Sequence, residues 1–140
     1  MEHISFNFQI LPILLGLLGI AFLLFIRKRV PKDSFLKSFW WSGMFLFGFY
    51  FLLMLSTTIY DVYIRMEYDS YDIDKNGYID DFERTGNYFE VQKRLVNDTA
   101  RNLAYMTGAV LSIIISFFVF IISLIHIFFK RRKRIKESIA

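Results

Sequence analysis

Residues 102–129 read NLAYMTGAVLSIIISFFVFIISLIHIFF and contain no Asp, Glu, Lys or Arg. A helix needs about 20 apolar residues to cross the hydrocarbon core of a bilayer, so this run is long enough to span a membrane. Two further runs without these charged residues cover residues 3–26 and 38–60. The chain has 140 residues, of which 55% are hydrophobic, and this is too apolar for a soluble domain of its size. The sequence therefore predicts an all-α integral membrane protein with three transmembrane helices.

The first apolar run has a second interpretation, because a cleavable signal peptide also places an apolar segment near the amino terminus. The chain starts MEHIS, which is not a basic region, and no small-residue cleavage site precedes Arg27. We therefore expect this run to be retained as the first membrane span.

The charged residues lie between the apolar runs and predict the orientation of the protein. Residues 27–37 hold five bases and one acid, and residues 130–140 hold six bases and one acid. Residues 61–101, which we call the connector, hold ten acids and six bases. Basic residues in short flanking segments stay cytoplasmic, so the carboxyl terminus is expected inside and the amino terminus outside the cytoplasmic membrane. The chain then divides into residues 1–60 with two spans, an extracytoplasmic connector 61–101, and residues 102–140 with the third span and a cytoplasmic tail.

The connector contains the run DIDKNGYIDDFE at residues 72–83. This run matches the pattern D-x-[DN]-x-[DN]-G-x5-E and resembles the EF-hand calcium loop. The resemblance covers these twelve residues and about one helical turn on either side. Calcium takes six to eight oxygen ligands, and the resemblance implies that Gly77 supplies the sharp turn of the loop. The implied ligands of Ca²⁺ are Asp72, Asp74, Asn76, the backbone carbonyl of Tyr78, Asp80 (often through a water) and Glu83. The alternative is an acidic, solvated turn that binds no metal.

The EF-hand resemblance also implies a helix on each side of the loop. The second span is expected to continue beyond the membrane as the entering helix, and the exiting helix is expected to begin near Asp80. The pair Gly86-Asn87 predicts a break or cap, after which residues 88–101 are predicted to form an amphipathic helix. On that helix Val91 and Leu95 are expected on the packed face and Arg101 on the exposed face. Metal binding would then hold the connector ends of the second and third spans together.

Four small residues recur every four positions along the third span and form a ridge that another helix backbone can approach closely. They are Ala104, Gly108, Ser112 and Ser116. One interpretation is a contact with another membrane protein or a second copy of this chain. The other is a contact with the first or second span of the same chain.

No Ser/His/Asp set, His pair at metal-ligand spacing or phosphate-binding loop is present in the sequence, so we predict no enzymatic activity. The basic tail beside a span is an ordinary topology anchor, so a nucleic-acid partner is not expected. The sequence favours a calcium-stabilised accessory or regulatory subunit of the membrane. The alternative is a homo-oligomeric channel or transporter element that external calcium gates.

Overall fold

A computed structural model describes residues 10–31, 34–98, 101 and 103–139. Within these residues every regular element is helical. The elements are α1 (Ile10–Ile26), a 3-10 turn (Arg27–Arg29), α2 (Phe35–Asp69), α3 (Tyr88–Asn97) and α4 (Ala104–Ile139). The prediction of an all-α fold is confirmed for this part of the chain.

Three of these helices are long and apolar enough to cross a membrane. The three segments are Ile10–Arg29, Phe35–Asp69 and Ala104–Lys133. Their number agrees with the predicted number of spans. Residues 3–9, which the sequence assigns to the first span, and Asn102, which begins the third, lie outside the described residues.

The apolar side chains of these helices remain largely uncovered by the protein itself. Leu18 is 70% exposed on α1, Phe25 is 75% exposed, and Ile122 on α4 is 67% exposed. Water would solvate such a surface unfavourably, whereas lipid tails are as apolar as these side chains. The exposed surface therefore indicates a multi-pass membrane protein with hydrocarbon around the helices.

Helix α2 lies between α1 and α4 and packs against both. Small residues permit the approach of α1, because a Cβ atom at Gly16 would lie 3.0 Å from Phe51 Cβ and 3.2 Å from Phe51 Cα. A Cβ atom at Gly19 would overlap the Phe47 ring. At the other end of the pair, the Trp40 indole donates a hydrogen bond of 2.7 Å to the Leu23 carbonyl. These contacts fix α1 against the first half of α2.

The small-residue ridge of α4 faces α2 of the same chain. A Cβ atom at Gly108 would lie 3.1 Å from Met54 Cε, and Ser112 and Ser116 are buried. The Ser116 hydroxyl lies 2.6 Å from the Ser42 hydroxyl, and each hydroxyl reaches the other residue's carbonyl oxygen at 2.9 Å. Close packing with interhelical hydrogen bonds is how helices associate in lipid, where the hydrophobic effect does not hold them together. The ridge therefore makes the contact within the chain that the sequence left as one of two interpretations.

Beyond the apolar part of α2, the short helix α3 packs beside the end of the same helix. Val91 of α3 and Ile64 of α2 are both almost fully buried. The sequence places Val91 on the packed face correctly. Tyr88, at the start of α3, is also buried, whereas the neighbouring Phe89 is 65% exposed. Helix α3 thus packs on the part of α2 that belongs to the connector.

Candidate metal centre

The acidic loop follows the end of α2 directly. Helix α2 runs without interruption to Asp69, as predicted, and Ser70 caps it by donating its amide to the Met66 carbonyl at 3.1 Å. The predicted start of the exiting helix near Asp80 is wrong. Residues 81–83 form a turn, closed by a hydrogen bond of 3.0 Å from the Glu83 amide to the Asp80 carbonyl, and the next helix begins only at Tyr88.

In the first half of the loop, side chains accept hydrogen bonds from backbone amides further along the chain, and these bonds shape the turn. Asp72 accepts from the Gly77 amide at 2.9 Å, Asp74 from the Asn76 amide at 3.0 Å, and Asn76 from the Tyr78 amide at 2.7 Å. Short polar side chains form such turns readily, because each one replaces a backbone acceptor. Gly77 has φ +86°, the left-handed conformation expected of it, which glycine adopts without a steric penalty. The aspartates are thereby held on the inside of the loop.

Glu83 joins the two ends of the loop. Its Oε1 accepts hydrogen bonds from the amides of Ile73 at 2.7 Å and Asp74 at 3.3 Å, and its Oε2 accepts from the Asp80 amide at 3.0 Å. The residue is only 8% exposed, although it lies in an otherwise exposed segment. A buried carboxylate requires such donors, since its desolvation is otherwise costly. Glu83 therefore closes the loop and keeps its charge beside Asp72 and Asp74.

The carboxylates of the loop fit a single hard cation. One oxygen each of Asp72, Asp74 and Glu83 lies within 4.8 Å of the others. Calcium binds oxygens at about 2.3–2.6 Å, so two of its ligands are separated by no more than about 5 Å. A carboxylate oxygen has two lone pairs and can accept an amide and bind a cation together. The three residues therefore meet the distance requirement for Ca²⁺.

The remaining implied ligands are Asp80, Asn76 and the backbone carbonyl of Tyr78. Asp80 is outside the convergent group of three carboxylates, and its amide donates to Glu83. This placement is compatible with a ligand that acts through a water molecule. The Asn76 side-chain amide donates to Asp74 at 2.8 Å, which ties the two side chains together. The Tyr78 side chain is 77% exposed, and its expected contribution is the backbone carbonyl alone.

The arginine that directly follows the loop, Arg84, is paired with a carboxylate outside the convergent group. Arg84 makes an ion pair of 2.6 Å with Asp81, whose side chain is 87% exposed, while that of Arg84 is 42% exposed. Exposed ion pairs contribute little to stability because water screens them. The pair leaves the negative charges of Asp72, Asp74 and Glu83 uncompensated by that arginine, which favours the binding of a cation.

An aromatic cluster joins the two sides of the loop. The Tyr68 and Tyr88 rings lie 5.7 Å apart with their hydroxyls at 3.3 Å, and the Tyr71 ring lies 5.6 Å from Tyr88. Tyr88 is only 3% exposed. Rings at this separation attract each other beyond the area that they bury. The cluster connects the end of α2 to the start of α3, so the loop is held on both sides.

Sequence reasoning missed a buried ion pair at the membrane end of the connector. Arg101, which the sequence places on an exposed face, has a side chain that is only 5% exposed. Its Nε lies 3.3 Å from Oδ1 of Asp61, whose side chain is 4% exposed, and the other oxygen of Asp61 pairs with Arg65 Nε at 2.8 Å. The only available signal was that both charges flank an apolar run, where an unpaired charge is costly.

Comparison with known protein families, with curated proteins and with solved structures finds no match for this chain. The fold itself defines the class as an α-helical protein with three helices able to span a membrane. Its distinguishing feature is the acidic loop mounted on the end of α2.

Proposed function

We propose that the protein is a non-enzymatic, calcium-binding, multi-pass membrane protein in which the metal stabilises the connector. The observation that carries the proposal is the convergence of Asp72, Asp74 and Glu83 oxygens within 4.8 Å. The loop sequence adds further oxygen donors at the spacing of an EF-hand loop. Because Tyr68 and Tyr88 link the helices on either side, a metal in the loop would restrain α2 and α3 relative to each other.

The charge distribution supports an extracytoplasmic position for the loop. Basic segments 27–37 and 130–140 lie at one end of the spans and the acidic connector lies at the other. Insertion retains basic segments in the cytoplasm. Extracellular calcium modules have dissociation constants of about 10⁻⁴ to 10⁻³ M, and a tighter site would remain filled outside the cell. At a hundredfold excess over the dissociation constant, calcium would stabilise the fold by about 2.7 kcal/mol. A calcium ion that stays bound in this way would have a structural role in the connector.

Hydrogen bonds between serine hydroxyl groups of α2 and α4 favour the accessory role over a channel. Ser42 and Ser116 bond to each other, and Ser123 donates to Ser38 at 3.0 Å. These groups are used between helices, so they are not available to line a conducting path. A partner chain would have to contact the part of the ridge that α2 leaves open, where a groove of about 160 Å³ includes Ala104, Thr107 and Gly108.

Calorimetry on the full chain in detergent micelles tests calcium binding. We expect one calcium site per chain and weaker binding of magnesium, because magnesium requires a tighter octahedral shell. The circular dichroism spectrum of the same sample confirms that the helices are present. If the helical protein gives no binding heat at millimolar calcium, the proposal is wrong.

Cysteine labelling tests the orientation, because the chain has no cysteine of its own. A cysteine in place of Ser70 is expected to react with an impermeant maleimide in intact cells. A cysteine in place of Ser34 should react only after permeabilisation, and the parent chain supplies the background. The reverse pattern would place the loop in the cytoplasm, where resting calcium is low and the site would suit a sensor.

A further inference from the structure

One face of α2 is left largely uncovered by the other described helices and carries an apolar stripe, which we call the α2 seam. Its members are spaced alternately by four and three residues from position 41 to position 66. This is the heptad spacing of a helix that packs lengthwise against a partner helix. Apart from the glycine, each member is at least 36% exposed. The seam consists of Trp41, Phe45, Gly48, Leu52, Leu55, Ile59, Val62 and Met66.

The seam continues past the part of α2 that lipid tails can cover. Ile59 follows Trp41 by 18 residues. At a rise of 1.5 Å per residue this is about 27 Å, close to the thickness of the hydrocarbon core. Tyr60, the next residue, is of a type enriched at the membrane interface. Val62 and Met66 lie up to about 10 Å further on and are 50% and 67% exposed. Lipid alone therefore does not account for an apolar surface of this length.

Gly48 indicates that a helix covers the seam within the membrane. A Cβ atom at Gly48 would meet nothing within 4 Å outside its own stretch of helix. The other glycines of the described helices each contact a neighbouring helix: a Cβ atom would lie 3.0 Å from Leu23 at Gly43 and 3.1 Å from Met54 at Gly108. Glycine weakens a helix, but it lets two helix backbones approach closely in lipid. A helix from outside the chain accounts for glycine at position 48, because packing within the chain does not require it.

The length of the seam restricts the partner. It extends over about 38 Å, so its partner must be a helix that stays apolar from the hydrocarbon core into the connector layer. Helix α1 has 17 residues and is too short, and α4 begins at Ala104, which shares a groove with Thr57 and so lies below Val62. Among the described helices α2 alone has the required length and surface on the connector side.

We propose that the α2 seam binds the same face of a second copy of this chain. Two copies inserted with the same orientation are related by a two-fold axis along the membrane normal, so each seam residue meets its own counterpart. Apolar side chains then meet at every level, and Gly48 meets Gly48. Asp69, at the next heptad position, would meet a like charge, so the seam ends before it. The open part of the α4 ridge remains free for a partner protein, and the pairing does not depend on calcium binding by the loop.

Disulfide crosslinking in native membranes tests the proposal, since the chain has no cysteine of its own. Leu52→Cys and Ile59→Cys place a thiol on the seam, close to the same thiol of the second copy. Mild oxidation with copper phenanthroline should convert both variants to a covalent dimer of twice the chain mass. Leu18→Cys on α1 and Ile122→Cys on α4 are matched controls at 70% and 67% exposure, and both should remain monomeric.

Three results of this experiment would overturn the proposal. Dimers that form equally at seam and control positions would reflect random collision in the membrane. A crosslinked product of another mass would identify a different protein as the partner. If the seam cysteines form no crosslink at all, the face is covered by lipid.

Met66→Glu separates association from folding, because Met66 is exposed in the single chain but would place two carboxylates face to face in the pair. Förster transfer between donor-labelled and acceptor-labelled copies in phosphatidylcholine vesicles measures the association. We expect it to weaken at least about tenfold, which corresponds to about 1.4 kcal/mol. Val96→Glu, at a position 63% exposed on α3, is the matched control and should leave it unchanged.

Gly48→Leu provides a second variant within the membrane. The single chain has room for the added side chain, so the circular dichroism spectrum should keep its helical signal. The side chain would separate the two copies of α2, and the Förster transfer should fall as it does in Met66→Glu. Unchanged association in either variant would contradict the assignment of the seam to the pair.

Discussion

Glu83→Gln is expected to weaken calcium binding at least tenfold, a loss of about 1.4 kcal/mol or more. The substitution removes one charge and one carboxylate oxygen of a residue that lies beside both Asp72 and Asp74. It also leaves a single side-chain oxygen for the amides of Ile73, Asp74 and Asp80, which the two oxygens of Glu83 now share. Calorimetry on the full chain measures the affinity.

Asp80→Ala provides the comparison within the loop. Asp80 is outside the group of convergent carboxylates, so its loss is expected to weaken binding less than Glu83→Gln does. Glu90→Gln, outside the loop, should leave the affinity unchanged. Chelation of calcium should lower the melting temperature of the parent chain, and this shift should be absent in Glu83→Gln. Equal losses for Glu83→Gln and Asp80→Ala would contradict an EF-hand arrangement.

Asp61→Asn is expected to lower the free energy of unfolding by about 3 kcal/mol, because removing one member of a buried pair leaves the other charge uncompensated. The Arg101 side chain is 5% exposed, so water cannot replace the lost carboxylate without local opening. Denaturant titration in mixed micelles measures the change. Asp69→Asn, at an exposed position near the end of the same helix, is the matched control and should have little effect.

A double-mutant cycle separates the ion pair from a general effect of either substitution. Arg101→Gln should cost less in the Asp61→Asn background than in the parent chain, by about 1–3 kcal/mol. The coupling is expected because the second substitution removes a charge that the first has already left unpaired. Additive losses would show that Asp61 and Arg101 stabilise the chain independently.

The membrane-spanning helices are predictable from the sequence because each corresponds to one long run without charged residues. Runs without charged residues longer than about 20 residues have few alternatives to a membrane helix. The path of α2 beyond the membrane is also predictable, since no proline interrupts it before Asp69. The left-handed conformation of Gly77 was predictable from its position in the loop pattern, because glycine adopts φ > 0 without a steric penalty.

The wrong predictions concern residues whose structure depends on contacts distant in sequence or on a local break in a helix. Arg101 was assigned to an exposed face by extending the helical period from Tyr88, but α3 ends at Asn97, so that period does not reach it. Its partner Asp61 is forty positions away, and no pattern in the sequence joins them. Likewise, the turn at residues 81–83 replaces the expected helix start, and the next bond, from the Thr85 amide to the Glu83 carbonyl at 2.8 Å, is not helical. Gly86 then turns with φ +60° before α3 begins.

The unbroken course of α2 connects the acidic loop to the opposite end of the bundle through one rigid element. Its 35 residues give a length of about 52 Å, and the acidic loop and the Trp40 contact with Leu23 lie near opposite ends. A continuous helix of this kind curves gently, and a sharp kink would require an interruption of its hydrogen bonds. A tilt of about 5° would therefore move one end by about 4 Å relative to the other. A displacement of the loop would therefore be carried along the helix to the contacts that α2 makes with α1 and α4.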